Sequence, residues 1–290
     1  MITYHIITNP VAGKKRALKN LTVVEKTLTA RGLPFEVHTS KAERDATEIV
    51  KNLTQNGETH FIVLGGDGTL HEVLNGIDDT QKVCLGLIPS GTGNDFAEHI
   101  GLEKDPEKAV ALILDGEAKP TDYLEVGGVR CMNVAGVGMD VDVLERCKRG
   151  KLKGKIKYLI SLIKSLFAFK GYQLEIQADG YKQQRKVLIA TACNGSRFGG
   201  GIKICPVANC EDGKIDFMAV DCIGGKWKLI KAFKVLMKGG IMDYPLTTHI
   251  RCDTLKITPD RKRTAQLDGE LYADLEFEVK IKTGLKFYRP

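Results

Sequence analysis

Along the first 120 residues, the pattern of hydrophobic and polar positions switches repeatedly between two periodicities. Short apolar runs, typical of buried strands, are separated by stretches whose apolar residues recur at helical spacing. The pattern predicts strands over Tyr4–Thr8, Phe35–His38, His60–Leu64 and Val83–Ile88, and helices over Lys15–Arg31, Asp45–Gln55, Leu70–Ile77 and from Asp95 to Ile100. This alternation predicts an α/β domain, a parallel sheet with helices on both faces, over residues 1–121.

The pattern changes after about Thr121, where strand signals follow one another directly. Strands are predicted over Tyr123–Val126, Arg130–Val134, Tyr172–Ala178, Lys186–Cys193, Ile215–Val220, His249–Thr258 and Leu275–Lys282, with only two helices, near Ile156–Phe169 and Trp227–Met237. Asp179-Gly180 is a typical hairpin turn. Residues 122–285 are therefore predicted to form a second, β-rich domain, an antiparallel sandwich or barrel.

Composition narrows the class of protein only slightly. The chain has 290 residues, eight cysteines without a C-x-x-C pair, and a net charge of +7. We expect reduced, buried cysteines of a cytoplasmic protein without a cysteine-based zinc site, and we find no apolar run long enough to span a membrane. The positive charge suits an anionic partner, whether a nucleotide, a nucleic acid or an acidic membrane, and does not choose among them.

Three polar, glycine-bearing loops each follow a predicted strand of the first domain: Asn9–Lys14, Gly65–Thr69 and Pro89–Ala97. Glycines let backbone N–H groups approach phosphate oxygens, and a helix N-terminus adds positive potential. A single loop of this kind is equally well explained as a tight turn. Three at the same end of a parallel sheet favour a nucleotide site, although neither a Walker A sequence nor a G-x-G-x-x-G fingerprint occurs.

Gly65-Gly66-Asp67-Gly68-Thr69, together with Ser90–Ala97 and Asn9-Pro10…Gly13, resembles the diacylglycerol kinase catalytic-domain family, and within it the soluble bacterial lipid kinases. The resemblance implies an active site in the cleft between the two domains, with residues 286–290 returning to the first domain. It also implies ATP and Mg²⁺ as cofactors. The implied ATP contacts are Asn9, Thr39, Gly65, Gly66, Asp67, Gly68, Thr69, Leu70, His71 and Thr92; Ser40 beside Thr39 leaves the register there open.

The resemblance extends to Gln266–Glu270, which matches the family's D-G-E element. It implies that Asp268 is the general base towards a lipid hydroxyl. Glu270 would lie on the same face if this segment were extended, and would help to hold magnesium together with Asp67 and Asp95. Without the resemblance, Asp268-Gly269 is better explained as a plain turn.

A second, structural magnesium is implied in the β-rich domain. Its ligands would be Asn209, Asp212 and the backbone carbonyl of Lys214. Some family members carry an acidic residue where Asn209 stands, so the missing charge lowers the expected affinity. The alternative is a type I turn at Glu211–Gly213.

Basic residues cluster between Arg146 and Lys157, before an amphipathic run, and recur around Trp227. Such surfaces suit anionic headgroups, and we expect peripheral association with a membrane, most strongly through Lys148–Lys155. Helices that pack their apolar faces on the β domain explain the pattern equally well. The stretch lacks the interleaved aromatic residues of single-strand nucleic-acid binders, so we expect no nucleic-acid partner, and the family makes a homodimer plausible.

The sequence thus predicts an ATP-dependent lipid kinase, with diacylglycerol as the expected acceptor. One alternative is an NAD kinase-like enzyme, since NAD kinases share the Gly-Gly-Asp-Gly-Thr loop; another is a non-catalytic lipid-binding protein. The six histidines show no ligand spacing and are interpreted as structural or solvent-facing, except His71, which we expect at the nucleotide edge.

Overall fold

The computed structural model describes residues 2–149, 154–222, 224–261 and 263–290. The chain forms two compact units. Unit 1 comprises Met1–Asp122 and Thr283–Pro290, and unit 2 comprises Tyr123–Lys282. The C-terminal segment that returns to unit 1 begins three residues before the predicted 286–290.

Unit 1 is an α/β domain. Its strands are β1 (Tyr4–Thr8), β2 (Phe35–Thr39), β3 (His60–Gly65), β4 (Cys84–Pro89) and the start of β5 (Ala118–Val126), and its helices are α1 (Arg16–Ala30), α2 (Asp45–Gln55), α3 (Asp67–Gly76), α4 (Asp95–His99) and α5 (Pro106–Asp115). The end of a long last strand, β17 (Phe277–Tyr288), pairs with β4. The sheet order is β2-β1-β3-β4-β17, and all these pairs are parallel.

Helices cover both faces of this sheet because nearly every residue of its central strands is apolar. Ile6, Ile62 and Leu64 point to the face that packs against α1 and α5. Ile7 and Val63, one residue away along the same strands, are also fully buried, on the face contacted by α2 and α3. Each such side chain contributes about 1.5–3 kcal/mol on burial, so the sheet is held from both sides.

Helix α5 is absent from the sequence-based prediction, although its start signal is clear. The Asp105 carboxylate accepts hydrogen bonds from the N–H groups of Glu107 and Lys108, and Pro106 occupies the first helical turn. Proline fits this position because its missing N–H would have no partner there.

Unit 2 is β-rich and antiparallel. Its strands are the end of β5, β6 (Val129–Cys131), β7 (Val134–Gly138), β8 (Tyr172–Ala178), β9 (Tyr181–Cys193), β10 (Arg197–Phe198), β11 (Ile202–Lys203), β12 (Ile215–Asp221), β13 (Thr247–Cys252), β14 (Thr254–Pro259), β15 (Thr264–Leu267), β16 (Glu270–Ala273) and most of β17. The first half of the long strand β9 pairs with β8, which in turn pairs with β14. The second half of β9 lies between β7 and β12. An apolar core from both groups of strands lies between them, as expected for a sandwich.

Three α-helices interrupt the described residues of unit 2, whereas the sequence predicted only two. They are α6 (Met139–Arg149), α7 (Gly154–Ala168) and α8 (Lys226–Met237). The missed helix, α6, has alternating acidic and apolar residues in its first turn, which conceal the helical period. Its buried residues Met139 and Val143, four apart, pack with Leu162 and Leu166 of α7.

Two predicted strands are each split by a side chain that takes backbone N–H groups away from the ladder. Residues 130–134 divide into β6 and β7 because the N–H groups of Met132 and Asn133 donate to the Asp268 carboxylate. Residues 249–258 divide because the N–H groups of Asp253 and Thr254 donate to the Asp179 carboxylate.

The Asp179-Gly180 turn is confirmed. Ala178 pairs with Tyr181, and the two turn residues have φ of 40° and 87°, as a two-residue primed turn requires. Within the described residues, no helix is long and apolar enough to cross a membrane.

Candidate functional site

The three glycine-bearing loops of unit 1 meet at the carboxyl ends of their strands. A Cβ atom added to Gly66 would lie 2.9 Å from the Cα atom of Gly91, and one added to Gly13 would lie 1.9 Å from the carbonyl oxygen of Ser90. The backbones therefore touch at positions that only glycine fits. The convergence expected from the parallel sheet is present.

Hydrogen bonds fix two of the loops to each other and to α1. The N–H groups of Ser90 and Gly91 donate to the Gly65 carbonyl, at 2.7 and 3.1 Å. From α1, the Asn20 side chain donates to the Ser90 hydroxyl at 2.9 Å, and Arg16 donates to the Gly91 carbonyl at 3.4 Å. Arg16 and Asn20 are not found by the motif analysis, because they lie in a helix outside the loops.

Helix α3 begins at Asp67, three residues earlier than predicted. Gly66 is extended at the N-cap, so the N–H groups of the first turn have no partner within the helix and face the loops. The Asp67 carboxylate accepts a hydrogen bond from the Phe96 N–H at 3.1 Å, which ties the first turn of α3 to α4. Such a helix start attracts an anionic group.

The residues with implied ATP contacts differ in accessibility. Thr92 and Thr39 are exposed, and Asn9, Asp67 and Gly68 are partly exposed, with the Asn9 side chain accepting from the Val11 N–H. These residues all lie at the carboxyl ends of strands or just beyond them.

Leu70 and His71 are almost fully buried, at 1% and 2% exposure. The Leu70 N–H already donates to the Gly66 carbonyl within α3. The His71 side chain is therefore almost inaccessible to solvent, and its expected position at the nucleotide edge stays a prediction.

Asp95 begins α4 and is 5% exposed. The preceding Asn94 is left-handed, with φ of 58°, and its side-chain oxygen accepts from the Gly91 N–H at 2.9 Å. Asp67 and Asp95 thus start the helices that follow two adjacent parallel strands.

In unit 2, Asp268 and Gly269 are the two central residues of the hairpin turn between β15 and β16. Leu267 pairs with Glu270 across it, and φ is 52° at Asp268 and 91° at Gly269. The segment is therefore not extended, and the geometry that would set Glu270 on the same face as Asp268 is absent.

The Asp268 carboxylate is held by donors from the β6–β7 connection. The N–H of Met132 donates to one oxygen at 2.7 Å, and the N–H of Asn133 donates to the other at 2.8 Å, with Val134 and the Cys131 thiol also within reach. A cradle of donors suits the ionised carboxylate and fixes its orientation. Glu270 forms an ion pair with Lys148, at 3.6 Å.

The two side chains of the implied structural magnesium site accept hydrogen bonds from protein donors. The Asn209 side-chain oxygen accepts from the Glu211 N–H, and one Asp212 oxygen accepts from the Lys214 N–H. The other Asp212 oxygen accepts from the Arg251 guanidinium. The only carboxylate of the implied set is therefore already neutralised by a side-chain cation, so the site stays a prediction.

Part of the predicted basic surface is engaged within unit 2. Arg146 pairs with Asp142, Arg149 with Glu145 and Lys148 with Glu270. The segment 150–153 of the predicted membrane-binding loop lies outside the described residues. Large apolar side chains are exposed on the two following helices: Leu159, Ile160, Ile163 and Phe167 of α7, and Trp227 and Met237 of α8, with Trp227 84% exposed.

A narrow apolar cavity of about 40 Å³ lies beneath α7 and α8, lined by Leu162, Leu166, Ile189, Val220 and Phe233 among others. Its one charged lining residue is Asp140, which is 2% exposed. Neither oxygen of Asp140 makes a well-formed hydrogen bond among the described residues. Burial raises the pKa of Asp140 to about 7, an effect that the nearby Val141 N–H and Gln266 side chain offset only in part.

Comparison with known proteins decides the family. Residues 3–126 match the model of the diacylglycerol kinase catalytic domain, and residues 133–285 match that of the YegS C-terminal NAD kinase beta sandwich-like domain. The chain belongs to the diacylglycerol kinase family of lipid kinases. The two matched regions of this lipid kinase family member correspond closely to units 1 and 2.

Relatives cover almost the whole of this family member. A diacylglycerol kinase of Bacillus subtilis (strain 168) is 28% identical, over 91% of this chain and 88% of its own. A "probable lipid kinase YegS-like" of Cronobacter sakazakii is 30% identical, over 89% and 87%. The crystal structure of a diacylglycerol kinase from Bacillus anthracis str. Sterne superposes with a TM-score of 0.80, at 26% identity, over 100% of this chain and 97% of that one.

Proposed function

We propose that this chain is an ATP-dependent lipid kinase that transfers the γ-phosphoryl group to the hydroxyl of diacylglycerol and yields phosphatidate. The observation that carries the proposal is the meeting of three glycine-bearing loops at the carboxyl edge of a parallel sheet. This is the place where such sheets bind nucleotides. The names of the relatives point to the lipid acceptor.

In this proposal the loops bind the triphosphate through backbone N–H groups. Because Gly66 and Gly91 have no side chains, the two loop backbones pack directly together, which would let phosphate oxygens approach the main chain. The first turn of α3 supplies N–H groups and positive potential. Asn9, Thr39 or Ser40, and Thr92 would contact the nucleotide from the surrounding loops.

The carboxylates would carry the chemistry. Asp67 and Asp95 offer the hard oxygen ligands that magnesium prefers. Bound magnesium would neutralise the negative charge that develops on the transferred phosphoryl group. Asp268 would orient and deprotonate the lipid hydroxyl, and its donor cradle keeps the carboxylate in one orientation.

The apolar cavity of unit 2 supports an acceptor with hydrocarbon chains. Its lining is hydrophobic except for Asp140, as suits a ligand with an apolar body and a polar head. At about 40 Å³ it is too small for an acyl chain, so entry of the lipid would require α7 and α8 to move apart. The exposed apolar side chains of both helices would then meet the bilayer, beside lysines that favour anionic headgroups.

The direct test incubates the purified chain with γ-labelled ATP, magnesium and mixed micelles that contain diacylglycerol. We expect label in an organic-soluble product that comigrates with phosphatidate. Omission of diacylglycerol and replacement of Asp268 by Asn should each remove that product. Label in NADP⁺ when NAD⁺ is supplied would instead establish the NAD kinase-like alternative, and nucleotide-independent lipid binding without product would favour the non-catalytic one.

A further inference from the structure

A cluster of two histidines and a glutamate lies on one face of the unit 1 sheet. His5 of β1 and Glu36 of β2 are register partners, and His38 is two residues further along β2. All three side chains therefore share a face of the sheet. His5 is 2% exposed, while Glu36 lies on the edge strand and is open to solvent.

The ligand atoms of this cluster form a small triangle. Nδ1 of His5 is 3.1 Å from Nε2 of His38 and 3.7 Å from Oε2 of Glu36, and the last two atoms are 3.6 Å apart. A circle through three points with these separations has a radius of about 2.0 Å, which is the Zn–N and Zn–O bond length. Displacing an ion about 0.5 Å from the plane, so that it can accept a water, lengthens the bonds only to about 2.1 Å.

A further carboxylate, that of Glu58, lies close to the cluster. Nε2 of His5 lies 2.8 Å from a carboxylate oxygen of Glu58, on the ring nitrogen that faces away from the triangle. Histidines that bind metals usually donate their other N–H group to a carboxylate, which fixes the tautomer and the ring orientation. A proton on Nε2, the nitrogen beside Glu58, would leave Nδ1 of His5 to bind a cation in place of its contact with His38.

We propose that His5, Glu36 and His38 bind a divalent transition-metal ion of the zinc class, with solvent as the fourth ligand and Glu58 as the carboxylate that orients His5. The donor set of two imidazoles and one carboxylate is typical of open zinc sites. The exposed side of Glu36 provides the entry path. The bound ion would cross-link the edge strand β2 to β1 and stabilise that edge of unit 1.

The test uses the full chain, freed of metal with a chelator. Competition titration with a chromophoric zinc indicator should show one Zn²⁺ per chain, and Co²⁺ in its place should give visible d–d absorption. Glu36→Gln and His38→Asn should each weaken binding at least 10-fold, and Glu58→Gln should weaken it about 10- to 100-fold. X-ray absorption should show a nitrogen and oxygen shell at about 2.0 Å with imidazole scattering.

The matched control is His60→Asn. His60 begins the neighbouring strand β3, but it packs against Tyr4, on the opposite face from His5. This variant should keep wild-type affinity, and Zn²⁺ should raise the melting temperature of both proteins but not that of a Glu36→Gln, His38→Asn double variant. Absence of stoichiometric binding by the wild type, or unchanged affinity in the double variant with far-UV circular dichroism intact, would overturn the assignment.

Discussion

Replacement of Asp140 by Asn should change how the stability of the protein depends on pH. Asp140 is buried, and its pKa is raised from 3.8 to about 7. In the unfolded chain its proton leaves above about pH 3.9, whereas the folded protein retains the proton until about pH 7. The unfolded state therefore binds fewer protons in this window, and the free energy of unfolding falls as the pH rises through it.

The expected change in the free energy of unfolding follows from the shift in the pKa of Asp140. Three pKa units correspond to about 4 kcal/mol, and about 3 kcal/mol of this should be lost between pH 4.5 and pH 8. Asparagine has nearly the same shape and does not titrate, so the Asp140→Asn variant lacks this loss. The difference in the free energy of unfolding, variant minus wild type, should therefore rise by about 3 kcal/mol from pH 4.5 to pH 8.

The assay is urea unfolding followed by far-UV circular dichroism, at half-unit pH intervals from 4.5 to 8. The control is Asp142→Asn in the same helix, because Asp142 is partly exposed and its i,i+4 ion pair with Arg146 is worth only about 0.3–0.5 kcal/mol. The control should follow the wild-type pH profile. An Asp140→Asn profile parallel to that of the wild type would refute the claim that Asp140 stays protonated in the folded protein.

Three further substitutions test the proposed site and the proposed membrane surface. Gly91→Ala would place a Cβ 2.5 Å from the Cα of Gly66, so ATP affinity measured by calorimetry should fall at least 10-fold. The control is Gly224→Ala, which has open space around it and should bind ATP like the wild type. Asp268→Asn should lower turnover about 100-fold or more in a coupled ADP assay while ATP affinity changes less than about two-fold; retained turnover would remove Asp268 from its role. Trp227→Ser should weaken co-sedimentation with anionic vesicles several-fold, since this indole is 84% exposed, and unchanged sedimentation would exclude α8 from the membrane surface.

The Asp268→Asn substitution should also lower the stability of the protein. Asparagine tolerates the left-handed φ at this turn, but its amide nitrogen would face backbone N–H donors. We expect a cost of about 1–3 kcal/mol from the lost hydrogen bonds. Turnover of this variant should therefore be measured well below its melting temperature.

The arrangement of the loops could be predicted from the sequence because it follows from local signals and one topological rule. Gly65-Gly66 and Ser90-Gly91 each end an apolar run, and parallel strands bring their carboxyl ends to one edge. The Asp179-Gly180 turn was predictable for the same reason, since two residues of the right type fix its geometry.

Features that depend on residues far apart in the chain could not be predicted in this way. The cradle of Asp268 comes from N–H groups about 135 residues earlier, and the Arg251 partner of Asp212 lies 39 residues later. His5 and His38 are 33 residues apart, so no sequence spacing marks them as a pair. Only the strand register, which the sequence leaves open, brings such groups together.

Helix α3 shows how a short shift changes the interpretation of a site. Its apolar period suggests a start at Leu70, but the chain already turns into the helix at Asp67, after the extended Gly66. This start places Asp67, Gly68 and Thr69 in the first turn of the helix rather than in the preceding loop. Propensity places such boundaries poorly because a glycine-rich N-terminus carries no apolar marker.

The most direct test of the central claim is the fate of the γ-phosphoryl group of ATP when the chain meets an unfractionated lipid extract. Labelled ATP, magnesium and the extract are incubated with the wild type and with the Asp268→Asn variant, and the aqueous and organic phases are counted and resolved by thin-layer chromatography. We expect a labelled phosphatidate band that requires both ATP and Asp268. Label that stays entirely in the aqueous phase, although calorimetry shows that ATP is bound, would contradict that claim.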